Sequence, residues 1–211
     1  MGAPDADRAR VPFVGLTGGL GAGKSTALAA LERLGAATLS TDAVVHELYA
    51  SDDTVREAVV GRWGPEVAPG GIVDRAAVAR HAFAGDGAER AWLEGVLWPR
   101  VGARVAAFRE QALAADPPPA AAVVETPLLF EAGLEGLYDA TIAVVAEEEV
   151  RARRAGGRGH AAVDERAARQ LSQADKAARA TFVVENSGSV EDLERGLTAV
   201  LATLQGAPSS S

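Results

Sequence analysis

The chain carries the stretch GGLGAGKST at residues 18–26. It fits the phosphate-binding pattern G-x-x-x-x-G-K-S/T, whose fixed positions are here Gly18, Gly23, Lys24 and Ser25. Because glycine lacks a Cβ, such a loop can adopt positive φ angles and turn successive backbone N–H groups toward an anion. The lysine reaches the β- and γ-phosphates of a nucleotide as a point charge, and the hydroxyl after it ligates Mg²⁺. The motif therefore predicts a nucleotide-phosphate site, with Lys24 as a catalytic residue and Ser25 as the metal ligand.

The segments on either side of the loop have the order that a phosphate loop requires. Residues 13–17 read FVGLT, a short and mostly apolar run typical of a strand. Residues 26–34 have leucine at every third position and precede Gly35, which predicts a helix that begins at about Ser25. The positive end of that helix dipole adds to the anion site. The residues expected to contact ATP or GTP are Gly19, Gly21, Ala22, Gly23, Lys24, Ser25 and Thr26.

The composition limits the class of protein. Of the 211 residues, 48% are hydrophobic and 24% are charged, as in an ordinary soluble domain. The absence of cysteine excludes disulfide bonds, thiolate catalysis and cysteine-ligated zinc. There is no secretory signal and no apolar run long enough to cross a bilayer, so we expect a cytoplasmic enzyme with no membrane partner. The net charge of −8 argues against nucleic acid as a partner, because its phosphates would require a broad basic surface.

Short apolar runs alternate with helical patterns along most of the chain. The runs that predict buried strands are residues 13–17, 36–39, 120–125, 140–146 and 181–185. Strands that alternate with helices indicate an α/β fold, and these predict a doubly wound, five-stranded parallel sheet of the P-loop NTPase type. A nucleotide bound to such a sheet lies at the carboxyl ends of the strands, where the glycine loop is.

One long region breaks this alternation. Residues 74–115 have helical patterns with no strand between them, in three pieces that begin at Asp74, at Asp86 or Gly87, and at Pro99. We interpret the region as an all-helical insertion that binds the acceptor of the phosphoryl group. The expected parts of the chain are a nucleotide-binding core at 11–62 and 120–205, a lid within it at about 150–178, a helical acceptor-binding lobe at 63–116, and disordered tails at 1–10 and 206–211.

Asp42 is the candidate for the acceptor side of the chemistry. It follows Lys24 by 18 residues, just past the predicted second strand, so the topology places it at the same edge of the sheet as the loop. A carboxylate there can take the proton of a substrate hydroxyl or hold Mg²⁺ through water. Alternatively, Asp42 caps a helix predicted at 43–50, which is a common use of aspartate in that position. Spacing alone leaves both interpretations open.

Several motifs together resemble those of the dephospho-coenzyme A kinase family, from Val14 to about Leu193. GLTGGLGAGKST is close to the GLTGGIGSGKS of that family. LSTDAVV at 39–45 is similar to its D-A-D-x-I segment, with the functional aspartate at Asp42 and Ser40 in place of the first aspartate. Further matches are GIVDR at 71–75, PLLFE at 127–131, the lid arginines Arg154 and Arg158, Arg166 with Gln170 and Lys176, and Asn186 with Gly188.

The resemblance implies roles for individual residues. Arg154 and Arg158, which flank glycines that can act as a hinge, would stabilise the transferring phosphoryl group when the lid closes. Asn186 would border the adenine. Arg75 and Leu128 would contact the acceptor, Arg75 as a partner for an anionic group.

The resemblance also implies the reaction, which is transfer of a phosphoryl group from MgATP to the ribose 3′-hydroxyl of dephospho-CoA, the last step of coenzyme A biosynthesis. Asp42 would bind this acceptor and orient or deprotonate its hydroxyl. Two alternatives remain open, namely a P-loop kinase for another nucleoside, nucleotide or sugar, and a nucleotide-binding switch without catalysis. The oligomeric state is not predicted.

Other conspicuous residues are expected to be structural. Trp98 stands where the family has a histidine. The tryptophans Trp63, Trp92 and Trp98 are expected in the core. The histidines His46, His81 and His160 lack metal-ligand spacing and are expected to be surface or helix residues. Arg151 and Arg153 are expected on a solvated helix face.

Overall fold

The computed structural model describes residues 11–155 and 170–206 of the chain. The predictions that fall outside the described residues are those for the tails at 1–10 and 207–211, the middle of the lid, Arg158, His160 and Arg166.

The strands are β1 Phe13–Gly18, β2 Ala37–Ser40, β3 Ala122–Glu125, β4 Ala140–Val145 and β5 Phe182–Glu185. They form one sheet in the order β2-β3-β1-β4-β5. In this sheet β1 is central and parallel to both neighbours, with Val14 opposite Val123 on one side and Ala140 on the other. Every residue of β1 is buried, as expected for a strand that helices cover on both faces. The predicted five-stranded parallel sheet is confirmed.

The helices of the described residues are α1 Lys24–Arg33, α2 Thr41–Ser51, α3 Asp53–Trp63, α4 Arg75–Ala82, α5 Ala88–Ala114, α6 Glu148–Ala155, α7 Gln173–Arg179 and α8 Val190–Gly206, with short 3₁₀ turns at Pro65–Val67, Pro69–Gly71 and Glu135–Leu137. None of these helices is both long enough and apolar enough to span a membrane.

The first of two compact units comprises the described residues up to Thr38 and from Phe108 onward, and it contains β1, β3, β4, β5 and the first half of β2. Its core includes Leu16 of β1, Leu31 of α1 and Leu197 of α8, all of them fully buried. Burial of these side chains holds α1 and α8 in the same core as β1. The loop that leaves β1 therefore starts and ends on elements anchored in this core.

The second compact unit spans Leu39–Ala107 and has its own core. It begins earlier than the predicted lobe at 63–116, because α2 and α3 supply side chains to that core. Val55 and Val59 of α3 are fully buried there, together with Val78 of α4. An apolar helix face is stable only where it is covered, so α2 and α3 belong with the helical unit.

Two of the three tryptophans pack as predicted. Trp63 stacks on His81 with ring centroids 5.6 Å apart and meets the edge of Trp92 at 5.0 Å, and both indoles pack against the core of the second unit. The core prediction is wrong for Trp98, which is 55% exposed. Successive helical residues are about 100° apart, so the burial of Leu97 turns its neighbour Trp98 away from the core.

The last two predicted helical pieces are in fact one helix, α5, with Pro99 inside it. Proline lacks an N–H, so the carbonyl four residues earlier loses its helical partner. Next to it, Arg100 Nη1 donates to the carbonyl of Val96 at 2.7 Å. Leu97 before the proline and Val101 after it pack into the same core, and this burial keeps both halves in one helix.

Candidate active site

The phosphate loop occupies residues 19–23, between the end of β1 and the start of α1. Gly21 and Gly23 have φ angles of 74° and 89°, a left-handed conformation that favours glycine. Gly23 is the N-cap of α1 and offers no side-chain cap, so the N–H groups of the first turn are available to a ligand. Ser25 and Thr26 are exposed in that turn. The loop and helix of the motif thus have the predicted form.

The loop also needs glycine because other atoms come close to it. A Cβ on Gly18 would lie 2.5 Å from the carbonyl oxygen of Val144, and one on Gly23 would lie 2.1 Å from Asn186 Nδ2. Lys24 extends back along the loop, and its Nζ donates to the carbonyls of Gly18 at 3.1 Å and Gly19 at 3.3 Å. The ammonium group is therefore held beside the loop backbone.

Two side chains from the carboxyl side of the sheet contact the loop from outside. Arg151 of α6 donates from Nε to the carbonyl of Leu20 at 3.0 Å, and Asn186 donates from Nδ2 to the carbonyl of Ala22 at 2.8 Å. The interpretation of Arg151 as a solvated residue is wrong, since its side chain is only 22% exposed. Its position three residues before Arg154, on the same helix face, was the signal in the sequence.

Arg154 lies beside the same loop. Its Nη1 donates to the backbone carbonyl of Asn186 at 3.0 Å and lies 3.4 Å from where a Cβ on Gly23 would be. The structure therefore brings Lys24, Arg154 and Asn186 together around the loop. Arg153, the residue between the two loop-contacting arginines, is exposed.

A buried ion pair lies behind the loop. Lys176 of α7 has no exposed surface, and its Nζ contacts Glu131 Oε1 at 2.9 Å, the carbonyl of Pro127 at 2.6 Å and Thr17 Oγ1 at 3.3 Å. Glu131 Oε1 also accepts the N–H of Leu171 at 2.7 Å. Burial lowers the pKa of Lys176 below its usual value, and Glu131 partly opposes this shift. The three bonds tie α7 to the end of β1 and to the turn after β3.

Leu128 lies in that turn and is half-buried, between the buried residues Pro127 and Leu129. The sequence predicted it as an acceptor contact through resemblance alone. Its side chain retains some exposed surface, which a contact with a ligand requires.

Asp42 lies in the first turn of α2, in the second unit. The cap of that helix is Ser40, whose hydroxyl accepts the N–H of Ala43 at 3.4 Å. The alternative that Asp42 caps a helix at 43–50 is therefore wrong, because the helix begins earlier than predicted. Asp42 is exposed, and its carboxylate lies at the helix end where the dipole favours negative charge.

Arg75 is the first residue of α4 and lies on the same side of α2 as Asp42. Its Nη1 is 2.7 Å from Nδ1 of His46, which follows Asp42 by one helical turn. A guanidinium can only donate, so His46 Nδ1 is the acceptor in this contact. The second unit thus carries a carboxylate, an imidazole and a guanidinium on neighbouring exposed positions, which can contact a polar or anionic substrate.

Comparison with known proteins decides the family. The profile of the family described as dephospho-CoA kinase matches residues 12–192. The chain belongs to the dephospho-CoA kinase family. The predicted resemblance is thereby confirmed, and with it the interpretation of the loop as part of a P-loop kinase.

Individual members of the dephospho-CoA kinase family cover nearly the whole chain. Those of Anaeromyxobacter dehalogenans and Thermus thermophilus are each 40% identical over 197 residues, with 92% of both chains covered. A solved structure from Thermus thermophilus superimposes with a TM-score of 0.73 at 39% identity, covering 93% of this chain and all of that one. Shikimate kinase from Bacteroides thetaiotaomicron shares the fold alone, with a TM-score of 0.51 and 14% identity over 92% of this chain and 98% of its own.

Replacing Lys176 by Met should leave the Glu131 carboxylate buried without its cation. We expect the free energy of unfolding to fall by about 3–5 kcal/mol, as measured by urea denaturation. In the double variant Lys176→Met/Glu131→Gln no charge remains, so much of the loss should be recovered. A single variant that unfolds at the wild-type urea concentration would contradict this assignment.

The lowered pKa of Lys176 predicts a pH dependence of stability. Between the folded pKa and the unfolded value of about 10.4, the unfolded chain binds more protons than the folded chain. The free energy of unfolding of the wild type should therefore rise relative to that of Lys176→Met as the pH increases toward about 10.4. The comparison cancels other groups that titrate there, such as Tyr138, whose pKa is raised by burial. If the difference in the free energy of unfolding between the wild type and Lys176→Met stays constant over this pH range, the pKa of Lys176 is not lowered.

Proposed function

We propose that this chain transfers the γ-phosphoryl group of ATP to the ribose 3′-hydroxyl of dephospho-CoA and so produces coenzyme A. The observation that carries the proposal is the family match over residues 12–192, which includes the phosphate loop, Asp42 and Arg154. In the reaction, the 3′-oxygen forms a bond to the γ-phosphorus while the bond from that phosphorus to the β-γ bridging oxygen breaks, and ADP leaves. The proton of the hydroxyl passes to a base.

The donor side is built from the phosphate loop and its neighbours. The N–H of Ala22 donates to the carbonyl of Gly19 at 3.2 Å, and we infer that other N–H groups of the loop and of the first turn of α1 bind the phosphates. Positioning of this kind is the main requirement of phosphoryl transfer. Lys24 lies beside that backbone and neutralises phosphate charge. Arg154, held by the carbonyl of Asn186, stabilises charge on the transferring group, and we assign Arg158 the same role by resemblance.

The residues present fit a magnesium ion that arrives with the nucleotide. No group of three or more acidic or histidine side chains able to hold a metal occurs within residues 11–155 and 170–206. Mg²⁺ in kinases takes only one or two protein ligands, with the rest supplied by phosphates and water. The exposed hydroxyl of Ser25 would be such a ligand. When bound, the ion neutralises phosphate charge as a Lewis acid.

The acceptor side is assigned to the second unit. Asp42 takes the proton of the 3′-hydroxyl or orients that group for attack. Because Ser40 is the cap of α2, the carboxylate of Asp42 is not needed for capping. Arg75, supported by His46, binds an anionic group of dephospho-CoA. Leu128, which belongs to the first unit, is assigned an apolar contact with the acceptor by resemblance.

An assay of ATP consumption with and without dephospho-CoA tests the proposal directly, with coenzyme A as the product to be identified by mass. We expect turnover only when dephospho-CoA is present. The variant Lys24→Ala should show no turnover, although its melting temperature should be close to that of the wild type. Turnover with a nucleoside or sugar in its place would indicate another P-loop kinase. Nucleotide binding without turnover on any acceptor would indicate a switch.

Asp42→Asn should separate chemistry from folding. Because Ser40 caps α2, the variant should lose only a few tenths of a kcal/mol, the value of a carboxylate near a helix N-terminus. It should still bind ATP, yet lose at least about a hundredfold in kcat, because an amide cannot take up the proton. Steady-state kinetics and thermal melting measure the two effects. A variant with normal kcat would show that the base lies elsewhere.

Arg75→Ala should raise the KM for dephospho-CoA by about tenfold and leave the KM for ATP almost unchanged, since a hydrogen bond to a charged group is lost on the acceptor side only. Arg80→Ala is the matched control, because Arg80 is an exposed arginine on the same helix. If the KM for ATP rose instead, Arg75 would belong to the donor site.

A further inference from the structure

Arg151 fits closely against the phosphate loop, although nothing in the proposed mechanism uses it. Besides its bond from Nε to the carbonyl of Leu20, its Nη1 donates to Glu148 at 2.6 Å. Nη2 lies 3.1 Å from where a Cβ on Gly19 would be, and the backbone oxygen of Arg151 lies 2.5 Å from where one on Gly21 would be. Both its side chain and its backbone therefore line the outer wall of the loop.

The bond to Leu20 fixes the direction of a neighbouring N–H group. A peptide group is planar and trans, so the carbonyl of Leu20 and the N–H of Gly21 point to opposite sides. Arg151 holds the carbonyl toward α6, and the N–H of Gly21 is consequently turned away from α6. Asn186 holds the carbonyl of Ala22 in the same manner, which fixes the N–H of Gly23. Alternate carbonyls held outward leave N–H groups to form an anion-binding concavity.

We propose that Arg151 is a positioning residue for phosphate binding, which holds the Leu20–Gly21 peptide so that the Gly21 N–H is presented to the nucleotide phosphates. This rests on the proposed function in one respect, that the loop binds ATP. Without the bond, this peptide in a glycine-rich loop can rotate and direct its carbonyl oxygen at the anion. The loop would then have to be reordered when ATP binds, at the expense of affinity.

Two substitutions separate the hydrogen bond from the charge. In Arg151→Gln, the amide nitrogen is the same number of bonds from Cα as Arg Nε, so it can donate to Leu20 from the same place without a charge. Arg151→Met keeps the length of the side chain and removes the donor. The matched controls are Arg153→Gln and Arg153→Met, which make the same changes at an exposed position of α6.

Dissociation constants for ATP and for inorganic pyrophosphate, measured by calorimetry without acceptor, test the proposal. We expect Arg151→Met to bind both ligands about tenfold more weakly, the value of a lost bond from a charged donor, and Arg151→Gln to stay within about threefold of the wild type. The Arg153 variants should bind as the wild type does. In steady state, Arg151→Met should raise the KM for ATP and not that for dephospho-CoA, a split that a general loss of stability would not produce.

The proposal is overturned if Arg151→Met binds pyrophosphate normally, or if Arg151→Gln is as weak as Arg151→Met, which would mean that the charge alone matters. An equal rise in both KM values would also overturn it, since that would indicate a structural role. Because binding is measured without dephospho-CoA, a wrong assignment of the acceptor would not alter these dissociation constants, and the two failures are distinguishable.

Discussion

The buried ion pair between Lys176 and Glu131 is the interaction on which the position of the phosphate loop depends. A charge with no exposed surface is stable only when its donors are satisfied, and here one nitrogen contacts Glu131, Pro127 and Thr17. Thr17 immediately precedes Gly18, the glycine at which β1 ends and the phosphate loop begins. Because the cost of leaving this charge unpaired is large, α7, the turn after β3 and the end of β1 hold one arrangement. The phosphate loop leaves the sheet from that fixed point.

Side chains that contact the outside of the phosphate loop hold it in place in addition to the Lys176 ion pair. Arg151, Arg154 and Asn186 come from segments that follow β4 and β5, the strands on one side of β1. Parallel strands end at one edge of the sheet, so residues distant in sequence converge on the loop without long connections. Arg151 and Asn186 contact backbone carbonyls, and they act on the direction of the loop peptides as well as on its position. Preorganisation of this kind lowers the conformational cost of binding a phosphate.

The sequence predicted the sheet and the loop because both follow from local patterns, namely buried apolar runs and a motif with fixed spacing. The predictions from sequence were wrong for features that depend on the packing of distant residues. The continuity of α5 through Pro99 depends on a shared core, and the exposure of Trp98 depends on which side of that helix faces the core. Arg151 was missed because its acceptor is a carbonyl 131 residues away in the chain, and the only local signal was its spacing of three residues from Arg154. The start of α2 was predicted two residues late, and this shift alone had left the cap interpretation of Asp42 open.

The negative net charge of the protein makes the cationic side chains beside the phosphate loop important for binding an anion. A chain with a net charge of −8 repels anions at long range, so ATP binding requires positive charge concentrated at one place. In the proposed site Lys24 and Arg154 supply it, and both donate to backbone carbonyl oxygens, Lys24 to those of Gly18 and Gly19 and Arg154 to that of Asn186. Arg151 also pairs with the carboxylate of Glu148, so its part is the bond to the loop rather than its charge. A carbonyl holds a cation in position without cancelling its formal charge, unlike a carboxylate. The backbone therefore serves as the scaffold of the proposed positive site, and the carbonyls that accept from Lys24 and Arg151 belong to the loop whose N–H groups we propose as the phosphate ligands.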